Sequence, residues 1–525
     1  MLTRKTILLF FLLFTASIWA QNEQPLVSED LELVKDRKNA FYTFNYPSVD
    51  ADGNPIVLSS AFVSWKKMSS DSIQTVIIAC HYTITNNYEC PSEYMNTGST
   101  TSDIGILANI PTMGLTYERL RHSIIIMPDY EGYGVTKDRT HPYLSQKLTA
   151  RQVIDGVQYG LKLYQKLVDA GTNPPLQKDW KSFCMGYSQG GSVALAAHRH
   201  IEQNGLSDEL HFSGSLCGDG PYDPISTLQY YVNDDGTSHD AKTDHRKNML
   251  TMPVVMPLIL KGMLCSHPDM RAHQTSDYFT KKFLDTGVMG WLEDKAKEKD
   301  EQKTTDDIDK LFYELCEKGL TAADGTTYTP EDIQEMFPTH KRSGTFITGY
   351  NYTVYADLSK ILTPECYAYL SNSEIMADVP EESGDPMKDL HRALADNSVA
   401  KGWEPQQRVV FMHSKHDTVV PYDNYLAFAN AHPDSENTKI EILGSSDHVS
   451  TGTSFYSSLL TSGHKTHFEW LAEGYDIIER PTNIIPIATA IDNTAVIYDL
   501  SGRRLSNGQM PKGLYIVNGK KYFCN

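Results

Sequence analysis

Three short runs of apolar residues set the strongest constraint on this chain. They are Val76-Ile77-Ile78-Ala79-Cys80, the stretch from Ser123 to Met127, and the stretch from Ser182 to Met185. None of them alternates apolar with polar residues. A strand with one wet face alternates; a continuous apolar strand is covered on both faces. Arg408 to Met412 repeats the pattern, Lys439 to Leu443 is a short version, and Leu210 to Leu216 a weaker one. Helical text lies between them, at Thr149 to Ala170 and Ser192 to Gln203. Strands alternating with helices predict an α/β fold with a mostly parallel sheet. Ahead of them, Tyr42 to Tyr46 and Ile56 to Trp65 flank the turn-rich Asp50-Ala51-Asp52-Gly53-Asn54 and read as a hairpin.

The alternation is interrupted once. About 190 residues separate the strand ending near Cys217 from the one starting near Arg408, far beyond an ordinary crossover. This text includes the apolar Met252 to Leu264 and the helical, charge-rich Trp291 to Leu315. It reads as a large helical cap, about residues 222–400, inserted over one edge of the sheet. The charge run Lys295 to Lys303 reads as a solvated helix face. At roughly 100–200 residues per domain, 525 residues fit three units or one large enzyme domain with insertions.

Both ends differ from the middle. Arg4 and Lys5, the apolar Ile7 to Phe14 and the small residues of Ala16 to Ala20 have the anatomy of a secretory signal peptide, residues 1–20. Residues 21–480 then form the main domain, and residues 485–525 a small C-terminal β module. In that module, Ala495-Val496-Ile497-Tyr498 and Gly513-Leu514-Tyr515-Ile516-Val517 are broken by Ser501-Gly502 and Asn518-Gly519 turns, a hairpin pattern. No stretch is long and apolar enough for a transmembrane helix. The 47 basic and 66 acidic residues leave a formal charge of −19, which repels phosphate backbones and argues against nucleic-acid partners. Eight cysteines are too few for a disulfide scaffold. Cys80 with Cys90, or one pair among Cys265, Cys316 and Cys366, could still be bridged; spacing leaves this open.

The chemistry centres on Gly186-Tyr187-Ser188-Gln189-Gly190, directly after one predicted strand and before a helix. The motif alone is weak. Strand–turn–helix placement makes it the pattern of a nucleophile elbow, in which a strained turn lifts a serine oxygen above the sheet edge. Side chains in place of the glycines would collide with the neighbouring strand and helix. The helix N-terminus places partial positive charge near a developing oxyanion. A serine hydroxyl needs a base, so the elbow predicts an acid and then a histidine further along. Asp417 follows the Arg408 to Met412 strand, and His448 follows the Lys439 to Leu443 strand. Both are expected in loops beyond strand C-termini, where open α/β sheets place their sites.

Rivals exist for each role. Asp219 is the alternative acid. His416 precedes Asp417, against the expected order, and reads as a loop residue. Asp447 reads as a turn or surface carboxylate. His198 and His200 stand two apart on a helix and face different sides. No Cys or His cluster has zinc spacing, and neither a metal nor a cofactor is expected. The oxyanion hole needs two backbone N–H groups. One is expected from Gln189 and the other from the loop after Cys80, with Thr83 favoured over Tyr82 and Ile84.

These residues resemble the α/β-hydrolase superfamily and, within it, the secretory lipase family. The similarity is carried by GYSQGG at Gly186 to Gly191, by Pro128-Asp129-Tyr130-Glu131-Gly132-Tyr133-Gly134 after a buried strand, and by Cys90-Pro91-Ser92 with nearby Tyr94. It implies an α/β-hydrolase fold with Ser188, Asp417 and His448 as nucleophile, acid and base. The gap between nucleophile and acid is longer than such lipases usually show, so a long-chain preference is not carried over. The text VIYDLSGRRLSNGQMPKGLYIVNGKK resembles the C-terminal sorting modules of type IX secretion, which implies an export machinery as partner.

The expectation is therefore a secreted serine carboxyl ester hydrolase, acting on a small-molecule, lipid or acylated-carbohydrate ester. A serine peptidase of the same fold is the alternative; no blade-like repeat supports it. A binding protein with an inert hydrolase fold is a third reading, which the full Ser, Asp and His set disfavours.

Overall fold

In the computed structural model the three apolar runs lie side by side at the centre of one nine-stranded sheet. The structure describes residues 25–473 apart from 37–38, 66–71, 98–102, 108–117, 240–242, 244, 342–351, 382–383, 445–446 and 461–464. Beyond 473 it describes strand segments between 484 and 524. The expected signal peptide, residues 1–20, lies outside the described residues.

The sheet strands in chain order are β1 (Glu32–Asp36), β2 (Asn39–Val49), β3 (Pro55–Trp65), β4 (Ile73–Cys80), β5 (Ser123–Pro128), β6 (Leu176–Tyr187), β7 (Phe212–Gly218), β8 (Arg408–His413) and β9 (Thr438–Ile442). Their spatial order is β1-β2-β3-β5-β4-β6-β7-β8-β9. The first four in that order pair antiparallel, and every pairing from β5 onward is parallel. The expected hairpin is β2–β3. It extends beyond the expected limits to pair Asn39 with Trp65 at one end and Val49 with Pro55 at the turn.

The lack of alternation in the central strands has a direct physical counterpart. Val76, Ile78, Ile124 and Ile126 face one core together with Val153 and Val157 of helix α1 (Gln146–Asp169) and Val193 and Ala197 of helix α2 (Gln189–Gln203). Ile77, Ala79, Ile125 and Met127, on the other face, are equally buried. Both faces are dry, so no position on these strands tolerates a polar side chain without a partner.

The long interval between β7 and β8 is folded and has its own apolar core. Leu228, Tyr231, Met256, Leu260, Phe283, Ile308, Phe312, Ile333, Leu358 and Leu394 belong to it. It is largely helical, including α3 (Val255–Ser266), and also holds three two-stranded ribbons that the sequence did not signal. The Trp291 to Leu315 stretch is not one helix. A short helix (Val288–Trp291), a 3₁₀ turn (Asp294–Ala296) and a helix (Thr305–Lys318) divide it. The solvated-face reading fails at Lys295, which is buried. Its ammonium donates to the Leu292 carbonyl oxygen at 3.3 Å and lies 5.3 Å from the centre of the Tyr133 ring.

Two compact units divide the chain, residues 1–464 and 465–525. In the second, the strand segments Ile484–Pro486, Ile497–Asp499, Arg504–Leu505, Gly513–Val517 and Lys520–Cys524 form one five-stranded sheet. The hairpin of the last two segments is antiparallel, whereas Ile484–Pro486 pairs parallel to the final strand. That parallel partner precedes the text that suggested hairpins. Cys80, Cys90, Cys184, Cys217, Cys265, Cys316 and Cys366 are all free thiols. The two bridging options of the sequence reading are not realised. Among the described residues, no helix is long and apolar enough to cross a membrane.

Candidate active site

Strand β6 ends at Tyr187 and α2 begins at Gln189, so Ser188 alone makes the turn. Its backbone sits at φ 59°, ψ −127°, a conformation costing a non-glycine residue about 1–3 kcal/mol. The surroundings enforce it. The Ser188 N–H donates to the Gly218 carbonyl oxygen on β7 at 2.9 Å, and Gly191 N–H donates back to the Ser188 carbonyl oxygen at 2.9 Å. A β-carbon on Gly190 would lie 2.1 Å from the Cys80 carbonyl oxygen, and one on Gly186 would lie 2.3 Å from the Gly190 carbonyl oxygen. The motif needs glycine at both positions because strand and helix approach to backbone contact.

Two further segments end at the same rim. After β8, Asp417 closes a tight turn in which its Oδ1 accepts the N–H groups of Val419 and Val420, each at 2.8 Å. After β9, His448 is not in a loop as expected; it is the first residue of helix α4 (His448–Leu460). The reason is Asp447, whose Oδ1 accepts the Ser450 N–H at 2.9 Å and caps that helix. His448 Nε2 lies 2.9 Å from Ser188 Oγ, and its Nδ1 lies 2.5 Å from Asp417 Oδ2. Residues 188, 417 and 448 are thereby brought together and are all buried. His416 stays in the turn, partly exposed, with its N–H on Ser414 Oγ.

With the Asp417 carboxylate facing Nδ1, the tautomer that fits both contacts has its proton on Nδ1 and turns the Nε2 lone pair to the serine hydroxyl, the arrangement in which an imidazole removes a hydroxyl proton. Burial alone would raise the Asp417 carboxyl; the His448 ring and the hydrogen bonds to it hold it below the usual carboxylate range. Asp219 behaves in the opposite way. Burial, and then the neighbouring Asp417, push its carboxyl well above that range. It contacts Tyr187 and Ser414 and comes within hydrogen-bonding reach of the Asp417 carboxyl, but it does not meet the His448 Nδ1. His198 on α2 is fully buried, in contact with Ser215 and Glu202.

Packed against the elbow, where a β-carbon on Gly190 would lie 2.7 Å from the His81 carbonyl oxygen, is the loop after β4. Thr83 belongs to it, and its hydroxyl lies 3.0 Å from the Tyr143 hydroxyl. Gln189 opens α2, and its side-chain amide donates to His141 Nε2 at 2.7 Å. His141 Nδ1 donates in turn to the Glu131 carbonyl oxygen at 2.7 Å. Burial lowers His141 to about 3, so the ring is neutral and its tautomer set by these two partners. The sequence reading missed His141 and Tyr143, whose only signal was proximity to the Pro128 to Gly134 segment. That segment buttresses the loop. Tyr133 donates its hydroxyl to the Ile84 carbonyl oxygen, and the Gly134 N–H donates to Asn87 Oδ1 at 2.7 Å. Asp129 accepts hydrogen bonds from the hydroxyls of Ser59 and Ser92 and the Ser92 N–H.

The cap closes over this rim from both sides. Its Thr251 hydroxyl meets that of Thr418 at 2.9 Å beside Asp417, and Tyr231 donates to the Val419 carbonyl oxygen. Across the rim, the Asn87 N–H donates to Gln302 and the Thr85 hydroxyl to the Lys303 carbonyl oxygen. A small cleft between cap and buttress is lined by His141 and Tyr133 with Leu258, Lys261 and Lys295. Among the described residues, one trio of potential cation-ligand atoms lies within 4.8 Å of one another, on Asp219, Asp417 and His448. Hydrogen bonds to each other, Tyr187, Ser414 and the 419–420 backbone already occupy these groups.

No protein-family model and no curated sequence matches the chain. Solved structures do. One is the rice cell wall degrading esterase LipA from Xanthomonas oryzae, with a TM-score of 0.55 and 16% identity over 81% of this chain and 90% of that one. The fold is that of the α/β-hydrolases. A hydrolase from Legionella pneumophila, described as putative, agrees, with a TM-score of 0.54 and 16% identity over 82% of this chain and 89% of that one. At such identity the likeness speaks for an α/β-hydrolase fold and for nothing about substrate.

Proposed function

We propose that the protein is a secreted serine carboxyl ester hydrolase of lipase or esterase type. The observation that carries this is the 2.9 Å contact between Ser188 Oγ and His448 Nε2, continued at 2.5 Å to Asp417. Ser188 attacks the ester carbonyl carbon as His448 Nε2 takes its proton. Asp417 holds the ring in the required tautomer and stabilises its cationic form. The N–H groups of Gln189 and Thr83 receive the oxyanion, a role worth about 3–4 kcal/mol per donor. His448 then protonates the leaving alcohol, which departs. Water attacks the acyl-enzyme by the same route in reverse and releases the acid.

The Xanthomonas neighbour is a rice cell wall degrading esterase. That activity is in keeping with an acylated-carbohydrate ester, one of the three substrate classes the sequence already suggests beside lipid and small-molecule esters. Secretion rests on the signal-like residues 1–20 and the sorting-like text of residues 485–525, through which an export machinery would act. Turnover of p-nitrophenyl esters from acetyl to palmitoyl, of feruloyl and acetyl-sugar esters, and of a peptidyl anilide tests the reading. Ester turnover without anilide turnover is expected. Anilide turnover alone would make the protein a peptidase, and absence of both would leave an inert hydrolase fold.

A further inference from the structure

Behind the Ser188–His448–Asp417 line sits a second buried carboxyl, Asp219, whose hydrogen-bonding groups do not balance if it is an anion. Its Oδ1 accepts the Ser414 N–H at 2.9 Å. The same oxygen lies 3.4 Å from His413 Nδ1. His413 Nε2 faces the Val420 carbonyl oxygen at 3.0 Å and must donate to it, so the neutral ring turns a lone pair toward Asp219. Burial lowers His413 to about 4 and keeps it neutral. The other oxygen, Oδ2, lies 2.8 Å from the Tyr187 hydroxyl, which also lies 2.7 Å from the His448 carbonyl oxygen. A phenol has one proton and cannot donate to both. A carboxyl oxygen of Asp219, one of Asp417 and a ring nitrogen of His448 all fall within 4.8 Å of one another. Two adjacent buried carboxylates cannot both ionise.

We propose that Asp219 is a proton-bearing positioning residue of the active site: a neutral carboxylic acid that, through Tyr187, holds the His448 backbone and leaves Asp417 the one anion beside the ring. The proton on Oδ2 is donated to the Tyr187 oxygen, and the Tyr187 proton is then free for the His448 carbonyl oxygen. Every neighbour is accounted for: Tyr187 on β6, His413 and the Ser414 N–H at the end of β8, Asp417 in the turn, His448 on α4, and Cys217 and Tyr222 on either side of Asp219 in the chain. None of them is a cation while the imidazole is neutral. The backbone of Asp219 supports a placed role. It sits at φ 31°, in the left-handed region, pinned by its N–H on the Met412 carbonyl oxygen at 2.9 Å.

The mechanistic part rests on the proposed ester hydrolysis, and the test separates the two. Infrared spectra of the resting wild-type protein, with its aspartates labelled by heavy carbon, are compared with Asp219→Asn at about pH 8. Asp129, which burial raises to about 6, is ionised there. A label-sensitive band of a protonated carboxyl, missing from Asp219→Asn and displaced in Tyr187→Phe, is expected without any substrate. Absence of that band from wild type would overturn the proposal, even if Asp219→Asn failed to fold. In turnover, Asp219→Asn is expected to lower kcat by up to about tenfold while the acid limb of kcat/KM moves by less than about 0.3 pH unit. A downward move of about one unit or more would mean that an anion had been removed beside His448, and would also overturn it. If wild type turns over no ester, the proposed function fails while the infrared result still decides the state of Asp219.

Discussion

The Tyr187 ring lies 5.2 Å from the His448 imidazole, and its hydroxyl lies 2.7 Å from the carbonyl oxygen of the same residue. Two glycines make room for it: a β-carbon on Gly218 or on Gly452 would come within 2.7 Å of the ring. The residue just before Ser188 therefore grips the residue that receives the Ser188 proton in the proposed mechanism. Tyr187→Phe keeps the packed ring and removes the grip. We expect kcat to fall about tenfold at nearly constant KM, with about 1–3 kcal/mol lost in urea unfolding because the buried His448 carbonyl oxygen loses its donor and Asp219 loses its acceptor. A change in KM alone would contradict this.

Ser188→Ala removes the hydroxyl that lies 2.9 Å from His448 Nε2. Turnover should fall on the order of a millionfold, while the thermal midpoint stays close to that of wild type because the β-carbon is retained. Asp417→Asn should cost about ten-thousandfold, since the amide can present its N–H to the ring and favour the wrong tautomer. Steady-state kinetics on one activated ester measures both.

Gly190→Ala tests the elbow without touching a reacting atom. The added β-carbon meets the Cys80 carbonyl oxygen at 2.1 Å, and backbone cannot yield as a side chain does. Strand β4 and helix α2 must separate. An overpacking cost of about 1–3 kcal/mol is expected, together with loss of most activity. Gly290→Ala is a control for added bulk, because nothing lies within 4 Å of its β-carbon and its φ is not in the left-handed region. Differential scanning calorimetry of the two variants makes the comparison; equal midpoints would refute the contact.

Acid should unfold this protein early. His81 and His413 are lowered to about 4 and His141 to about 3, each chiefly by burial. In the unfolded chain they would titrate near 6.5. Between that value and about 3–4 the unfolded state binds more protons, so stability falls as pH drops through the window. Asp129, raised to about 6 by burial, works in the opposite direction from about 4 to about 6. Asp219, which burial and then Asp417 hold well above the usual carboxylate range, acts in the same direction as Asp129; three histidines still outweigh two carboxyls, and a net loss is expected. Urea midpoints measured from about pH 8 to about pH 4 check the sign. Asp129→Asn should make the acid loss steeper.

Much of this was legible in one dimension. Continuous apolar runs, dry on both faces, identify the central strands whatever surrounds them, because a buried backbone leaves no place for a polar side chain. The strand–Gly-x-Ser-x-Gly–helix order identifies Ser188 because the collision of strand with helix is a local event. Asp417 and His448 could be proposed from their order after later strands, and that order favoured Asp417 while leaving Asp219 as the alternative. That choice was made in three dimensions, where His448 Nδ1 meets one carboxyl and Tyr187 the other. The helix that starts at His448, the burial of Lys295 and the His141–Gln189 contact were likewise decided only by tertiary structure. Local pattern reports whether a residue is buried and in what backbone; which groups meet across a separation of 31 to 260 positions depends on where the sheet ends and the cap deliver them.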